Sequence, residues 1–410
     1  MPTSRHATWH FGTRLVHTGA HESAPRATPT SPPIYLSSTY IHPSAEELDR
    51  AFAEGDLVYS RFGNPTVNGL EAAVAAAENG RGAVAFASGM AALYTAILAA
   101  GTPRGATQPA LRRILGAQDL YGATRTLIND FFGGQGVAVD FCDMCDLESL
   151  ARKLNDAPPD VVVLEPISNP LLKVADVAAI ADLAHEVGAR LIVDNTIPTP
   201  MLLRPLEHGA DLVIHSATKY LGGHGDALGG VVVAAKQLPL DSLGRYAKLL
   251  GGVLGALDAR LIARGMQTLA LRMKQQCANA LAVATWLEQR PEVARVYYPG
   301  LPNDPGYSLA ERFFGGCGGG MVSFDLQSAD RAAAYRFMDA LELTLPATSL
   351  GDVFSLVSYP PMSSHRDVAA PERERQGIGE GLLRLSIGIE EPEDIIADLE
   401  AGLRAAAGNS

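Results

Sequence analysis

Cysteine and basic charge are both scarce in this chain, and several signatures of common function classes are missing. Only four cysteines (Cys142, Cys145, Cys277, Cys317) occur in 410 residues, too few and too scattered for a disulfide framework, which points to a reducing cytoplasm. Lys and Arg total 33 against 45 Asp and Glu, a net charge of -12, so the field of the protein offers no bulk attraction to phosphate backbones or anionic lipid. Nucleic-acid and membrane-surface binding are thereby disfavoured. Residues 1–20 lack the continuous apolar segment of a secretory signal. The one uncharged stretch long enough to resemble a membrane span, 83–103, is Ala-rich and broken at Ser88-Gly89, and reads as a strand turning into a buried helix. No Walker A or GxGxxG sequence follows a strand, and the ten histidines show no HExxH or HxH spacing. Cys142 and Cys145 have CxxC spacing, but the two further ligands of a structural zinc site are not nearby, and no metal is expected.

What is present is the composition of a globular enzyme: 47% apolar residues, 19% charged residues and 41 glycines, the last fitting tight turns and close backbone approaches around an anionic ligand. At 43.2 kDa the chain holds two or three domains. Residues 1–62 read as an arm reaching a neighbouring subunit, interrupted by Pro25, Pro29, Pro32 and Pro33, with one short helix over 44–53. Residues 63–256 alternate helical stretches (67–78, a helix opening at Gly89-Met90, 174–187) with short apolar strands (83–87, 161–164, 191–193, 212–214, 231–234). β-branched runs separated by helical periodicity are the pattern of a mostly parallel sheet covered on both faces, so the fold class is α/β. Residues 257–410 read as a smaller α+β domain, opening on a long helix (257–288) and containing a strand at 321–324. The segment 101–118, long and basic, reads as a surface excursion. No repeats or low-complexity tracts occur.

The chemistry concentrates at two strand ends. Leu191-Ile192-Val193 runs into Asp194-Asn195-Thr196, and Leu212-Val213-Ile214 into His215-Ser216-Ala217-Thr218-Lys219-Tyr220. Ligands of open α/β sheets bind beyond the carboxyl ends of the strands, so Asp194 and Lys219 are expected to face one crevice. A lysine in a desolvating pocket becomes available to form a Schiff base with an aldehyde. An aspartate beside it can keep a pyridine nitrogen protonated, as pyridoxal 5'-phosphate (PLP) chemistry requires. Ser216 and Thr218 offer hydroxyls to phosphate oxygens, and Ser88-Gly89-Met90 offers amides at a helix start. His215 and His224 read as supporting hydrogen-bonders.

These residues fall in motifs that resemble the PLP-dependent enzymes of Cys/Met metabolism, a fold type I family that includes cystathionine γ-synthase, cystathionine β- and γ-lyases, methionine γ-lyase and O-acetylhomoserine sulfhydrylase. The resemblance runs through Pro32-Pro33-Ile34-Tyr35, Tyr59-Ser60-Arg61, Gly63-Asn64-Pro65-Thr66, Ser88-Gly89-Met90, Asp119-Leu120-Tyr121-Gly122, Glu165-Pro166, Ser168-Asn169-Pro170, Asp194-Asn195-Thr196, Ser216-Ala217-Thr218-Lys219 and Arg384-Leu385-Ser386. It implies PLP as cofactor and an amino acid as substrate. Lys219 becomes the Schiff-base lysine and proton shuttle, Asp194 the partner of the pyridine nitrogen, and Tyr121 the ring that stacks on the cofactor and assists proton transfer. Gly89, Met90, Ser216 and Thr218 are implied to hold the phosphate from their own subunit, Tyr59 and Arg61 from a neighbour. The smallest active unit is then a dimer, with a homotetramer typical. Arg384 is implied to grip the substrate carboxylate, aided by Asn169 and Ser349.

Two departures bear on activity. Ala123 stands where typical methionine γ-lyases place a cysteine, which argues against a dedicated methionine γ-lyase. Phe354 stands where many γ-lyases and γ-synthases carry glutamate, and an apolar ring at this substrate-binding position disfavours a distal ammonium. The expected reaction is γ-elimination on a sulfur or homoserine-derived amino acid, of the cystathionine γ-lyase type, releasing 2-oxobutyrate and ammonia. The alternatives are γ-replacement, as in cystathionine γ-synthase or O-acetylhomoserine sulfhydrylase, and then β-elimination. A PLP aminotransferase and a non-catalytic scaffold are the readings of other classes.

Overall fold

A computed structural model describes residues 8–18, 29–103, 106, 110–366, 368 and 370–408. Seven strands form the larger sheet: β1 (Gly82–Phe86), β2 (Arg113–Ala117), β3 (Ala138–Cys142), β4 (Val161–Leu164), β5 (Arg190–Asp194), β6 (Leu212–Ser216) and β7 (Gly230–Ala234), in the order β1-β7-β6-β5-β4-β2-β3. The pairs from β6 through β3 are all parallel, and β7 runs antiparallel to both of its neighbours. The fold is α/β around a mostly parallel sheet. Val161, Val162, Val163 and Leu164 are all completely buried, as are Leu191, Ile192 and Val193. Strands covered by helices on both faces have no polar side to alternate with, which is why these segments read as unbroken apolar runs.

Helices start where the sequence supplies caps. Asn64 accepts a hydrogen bond from the Thr66 N–H and precedes Pro65 at the head of the helix Pro65–Ala77, and Ser88 accepts from the Ala91 N–H to start the helix Gly89–Ala100. The short helix expected near 44–53 is Ala45–Glu54, capped by Ser44.

Three expectations need correction. The segment 101–118 is not a surface excursion throughout, because its last part is β2, where Ile114 is fully buried and Leu115 nearly so. Arg112 and Arg113 sit at the strand's start, where the Asp160 carboxylate accepts both of their backbone N–H groups at 2.7 and 2.9 Å. The basic pair therefore marks a tethered strand entrance. Residues 104, 105 and 107–109 of that segment lie outside the described residues. The helix expected over 174–187 begins at Val177, because Val174 is used in a bridge to Ile167. The single helix expected over 257–288 is two, Ala256–Met266 and Leu269–Leu287. At the break the Gly265 carbonyl accepts from Thr268 Oγ1 (3.1 Å) and Arg272 Nη2 (2.9 Å), so side chains replace the helical ladder.

Five strands form the second sheet: β8 (Val293–Tyr297), β9 (Met321–Leu326), β10 (Leu345–Pro346), β11 (Leu356–Ser358) and β12 (Leu382–Ser386), in the order β10-β11-β12-β9-β8. Phe324, Leu383 and Leu385 pack there against Phe337, Ile395 and Leu399 of the helices Arg331–Asp339 and Pro392–Ala406. Among the described residues no helix is long and apolar enough to cross a membrane.

The start of the helix Gly89–Ala100 is seated by a glycine on the sheet. Gly230 lies opposite both Phe86 and Ser216, and a Cβ on it would overlap the Ser88 carbonyl. Gly230→Ala must therefore push the helix start away from β7 at a cost of about 1–3 kcal/mol. Urea unfolding of the cofactor-free protein should show that loss, and a wild-type midpoint would mean that the helix start is not seated on β7.

Candidate active site

A cleft of about 450 Å³ opens at the carboxyl ends of β4, β5 and β6. This is within the size range of small-molecule sites, at the place where open α/β sheets bind ligands. Asp194 ends β5, and Glu165 follows β4. Leu164 pairs with Val193, so the next residues, Glu165 and Asp194, come side by side at the cleft floor. Burial raises the Asp194 carboxyl above its ordinary range, opposed by hydrogen bonds from the Thr196 hydroxyl and N–H and by the charge of His215. Burial, and then the Asp194 charge, hold Glu165 well above the ordinary carboxylate range, although the Tyr121 N–H donates to it at 2.7 Å. The floor thus carries two carboxylates that resist joint ionisation.

The opposite wall is cationic. Lys219 follows β6 in a turn where the Lys219 N–H donates to the Ser216 carbonyl (3.1 Å) and the Gly223 N–H to the Lys219 carbonyl (2.8 Å). Gly223 and Gly225 complete the turn at φ +71° and +68°, in the left-handed region that favours glycine. Lys219 Nζ donates to Ser349 Oγ at 3.1 Å. Burial, followed by the Arg384 charge, lowers the lysine below its ordinary value, against the pull of Asp352. Arg384, on β12, is 4% exposed. It donates to Asn169 Oδ1 (2.9 Å) and the Ser349 carbonyl (3.1 Å), and burial brings it down to about 10. Among the described residues its Nε has no hydrogen-bond partner. A buried guanidinium with donor capacity to spare, aimed by Asn169 and Ser349, is a carboxylate receptor.

Gly89, Met90, Ser216 and Thr218 line the same cleft. A Cβ on Gly89 would come 2.9 Å from Ser216 Cβ, so glycine lets the helix start and the end of β6 share one small space. Among the described residues no protein acceptor meets the N–H of Gly89 or Met90, whereas the Ala91 and Ala92 N–H groups bond Ser88. Free amides at a helix start beside a serine hydroxyl form an anion cradle. The Thr218 hydroxyl is engaged with Gly229, donating to its carbonyl and accepting from its N–H. Cradle, acidic floor, half-buried lysine and buried arginine together fit PLP carrying an amino acid, with donors for the phosphate, an acceptor for a pyridinium and a cation for the substrate carboxylate.

Of the residues singled out in the sequence, the structure brings together Gly89, Met90, Tyr121, Asn169, Asp194, Ser216, Thr218, Lys219 and Arg384 around the cleft, and joins Ser349 to them through its hydrogen bonds. It leaves three outside the lining. Tyr59 is 44% exposed, and Arg61 reaches the Lys248 carbonyl at 2.5 Å beside a separate groove. Phe354 is half-exposed, with its ring tip near Gly225. His215 and His224 do bond as supporters, to Glu78 (2.6 Å) and to the Gly222 carbonyl (2.8 Å). Sequence reasoning assigned no role to Glu165 or Asp352. For Glu165 a signal existed, since it follows β4 as Asp194 closes β5. Asp352 approaches through folding of the distant 349–354 segment.

A model of the family described as Cys/Met metabolism PLP-dependent enzyme matches residues 12–404. An L-methionine gamma-lyase of Pseudomonas putida is 40% identical over 97% of this chain and 98% of its own length. An O-succinylhomoserine sulfhydrylase of Pseudomonas aeruginosa is 38% identical over 91% and 90%. A crystal structure of cystathionine gamma synthase from Xanthomonas oryzae pv. oryzae, in complex with aminoacrylate and cysteine, superposes with a TM-score of 0.90 at 36% identity, covering 98% of this chain and all of that one. The chain is an enzyme of the carbon–sulfur lyase or γ-replacement type with PLP as cofactor, and belongs to the PLP-dependent family of Cys/Met metabolism.

Proposed function

We propose that this enzyme catalyses γ-elimination on a sulfur or homoserine-derived amino acid, releasing 2-oxobutyrate and ammonia. The observation that carries the reading is the grouping of a half-buried lysine, a buried arginine and a paired acidic floor in one cleft. When bound, PLP supplies an electron sink for the substrate carbons. Asp194 holds the proton of the pyridine nitrogen. Gly89, Met90, Ser216 and Thr218 hold the phosphate. Arg384, aimed by Asn169 and Ser349, binds the substrate carboxylate. Lys219 Nζ takes the proton from Cα and then serves Cβ, and burial, which disfavours its ammonium, leaves the free amine available to do so. Tyr121, anchored through its N–H to Glu165, covers the cofactor and serves the leaving group at Cγ.

Methionine γ-lyases among the relatives support elimination. Ala123 and Phe354, where the family resemblance leads one to expect cysteine in methionine γ-lyases and glutamate in many γ-lyases and γ-synthases, support a substrate range not confined to methionine and a distal end without an ammonium. A sulfhydrylase relative supports the second reading, γ-replacement by a thiol at the same carbon.

Residues 63–256 carry the cofactor and 257–410 form the smaller domain in this proposal, and 1–62 reach a neighbouring subunit of a homodimer or tetramer. Exposed Leu36, Ile41 and Phe52 in the arm, with exposed Leu249 and Leu250 near Arg61's partner Lys248, support such a contact. The four free cysteines support a cytoplasmic setting.

Incubation of the PLP-loaded enzyme with L-methionine should release 2-oxobutyrate without added thiol, and L-cystathionine, whose distal end carries an ammonium, should do so more slowly. No keto acid from either, together with product formation from an O-acylhomoserine and a thiol, would assign γ-replacement. Lys219→Ala should abolish both turnover and the visible absorption of the lysine-bound cofactor, and wild-type turnover would sink the mechanism. Because burial disfavours the ammonium of Lys219, capture of PLP by the cofactor-free protein should accelerate as pH rises with a midpoint below 10.5, and a midpoint at or above that value would contradict the site's electrostatics. Arg61→Ala should weaken PLP binding in the oligomer, whereas unchanged affinity would refute the shared site.

A further inference from the structure

Glu78 is a completely buried carboxylate that does not reach the cleft. It caps the end of the helix Pro65–Ala77 and meets the far face of the sheet. One oxygen, Oε1, faces both His215 Nε2 at 2.6 Å and Asn195 Nδ2 at 2.9 Å. Those two residues come from different strand ends. Asn195 directly follows Asp194 at the end of β5, and His215 directly precedes Ser216 at the end of β6. Successive side chains of a strand point to opposite faces, so Asp194 and Ser216 face the cleft while Asn195 and His215 face Glu78. The strand ends are tied through their backbones as well, because Asn195 N–H donates to the Ile214 carbonyl at 2.8 Å. On the cleft side Thr196 closes the link, with its hydroxyl donating to Asp194 and accepting from the Ser216 N–H at 2.8 Å.

A buried carboxylate is an expensive way to join two strands, and apolar residues of similar volume often do as well for stability. Among the described residues Glu78 Oε2, His215 Nδ1 and Asn195 Oδ1 of the cluster are left without partners. An arrangement that gives up three hydrogen bonds to hold two residues adjoining the cleft is built for position.

We propose that Glu78 is a positioning residue for Asp194: through Asn195 and His215 it fixes the carboxylate where it meets the pyridine nitrogen of PLP. This rests on the proposed role of Asp194. The test is a cycle of Glu78→Gln, Asp194→Asn and the double variant, with PLP affinity of the cofactor-free protein read by visible absorption and folding read separately by thermal unfolding. Glu78→Gln should weaken PLP binding about tenfold, by removing the charge from a hydrogen-bonded group. In the Asp194→Asn background most of that effect should vanish. Equal weakening in both backgrounds, or wild-type affinity in Glu78→Gln, overturns the proposal and leaves Glu78 a purely structural residue. Should Glu78→Gln fail to fold, His215→Asn takes its place in the same cycle with the same two readings. Asp194→Asn that binds PLP with wild-type affinity and absorption would instead refute the role of Asp194 itself, a separate outcome.

Discussion

The parallel hydrogen bonding of β4, β5 and β6 sets the geometry of the cleft. Val193 pairs with Leu164 on one side and Val213 on the other, and Asp194 stands level with Ile214. The residues just beyond those pairs, Glu165, Asn195 and His215, inherit their positions from that register, and a one-residue slip would turn each of them to the opposite face. Completely buried valines, leucines and isoleucines make such a slip costly, because every apolar side chain of the strand would move with it. The apolar centre of the sheet is therefore what gives the polar ends their precision.

Charge is arranged across the cleft with the same dependence on burial. Glu165 and Asp194 form an acidic floor, while Lys219 and Arg384 form a cationic wall contributed by two different sheets. Each group is pushed toward its neutral form by burial, in opposite senses: the carboxylates upward, the lysine and arginine downward. A ligand with a pyridinium at one end and a carboxylate at the other satisfies both sides at once. Binding energy of that kind is orientational, since the ligand reversed would place like charges together.

Much of this was legible in the sequence because the physics is local. Val161–Leu164 and 191–193 read as buried strands from composition alone, and Asp194 and Lys219 stood out because each follows such a run. What escaped reading depends on distant contacts. β2 holds only Ile-Leu-Gly-Ala after two arginines, and its identity comes from Asp160, which grips the entrance from another segment. At the break at Gln267 and Thr268, Arg272 of the following helix bonds the carbonyl of Gly265, whose missing Cβ leaves room for the Gly222 carbonyl behind Lys219. Arg384 and Ser349 were found through the family's motifs, because nothing in an apolar strand or a polar loop announces which cavity it will face. Glu78 ends an Ala-rich helix, where a carboxylate normally meets solvent, and only the packed sheet shows that it is enclosed.

The residues that grip a cofactor and those that choose a reaction need not coincide. In the proposed mechanism Lys219, Asp194 and Arg384 serve elimination and replacement alike, since both begin with the same proton removal and lose the same γ-substituent. The difference is whether Cγ takes up a proton, leaving an enamine whose imine tautomer water hydrolyses at Cα to 2-oxobutyrate and ammonia, or forms a bond to a thiol, and that end lies away from Arg384. Discrimination therefore has to come from the rim, where Tyr121 and Leu228 are exposed at 43% and 63%. An apolar rim loses little by admitting an uncharged thiol and pays heavily to desolvate an ammonium, so its chemistry narrows the substrate's distal group without selecting the fate of the carbon skeleton.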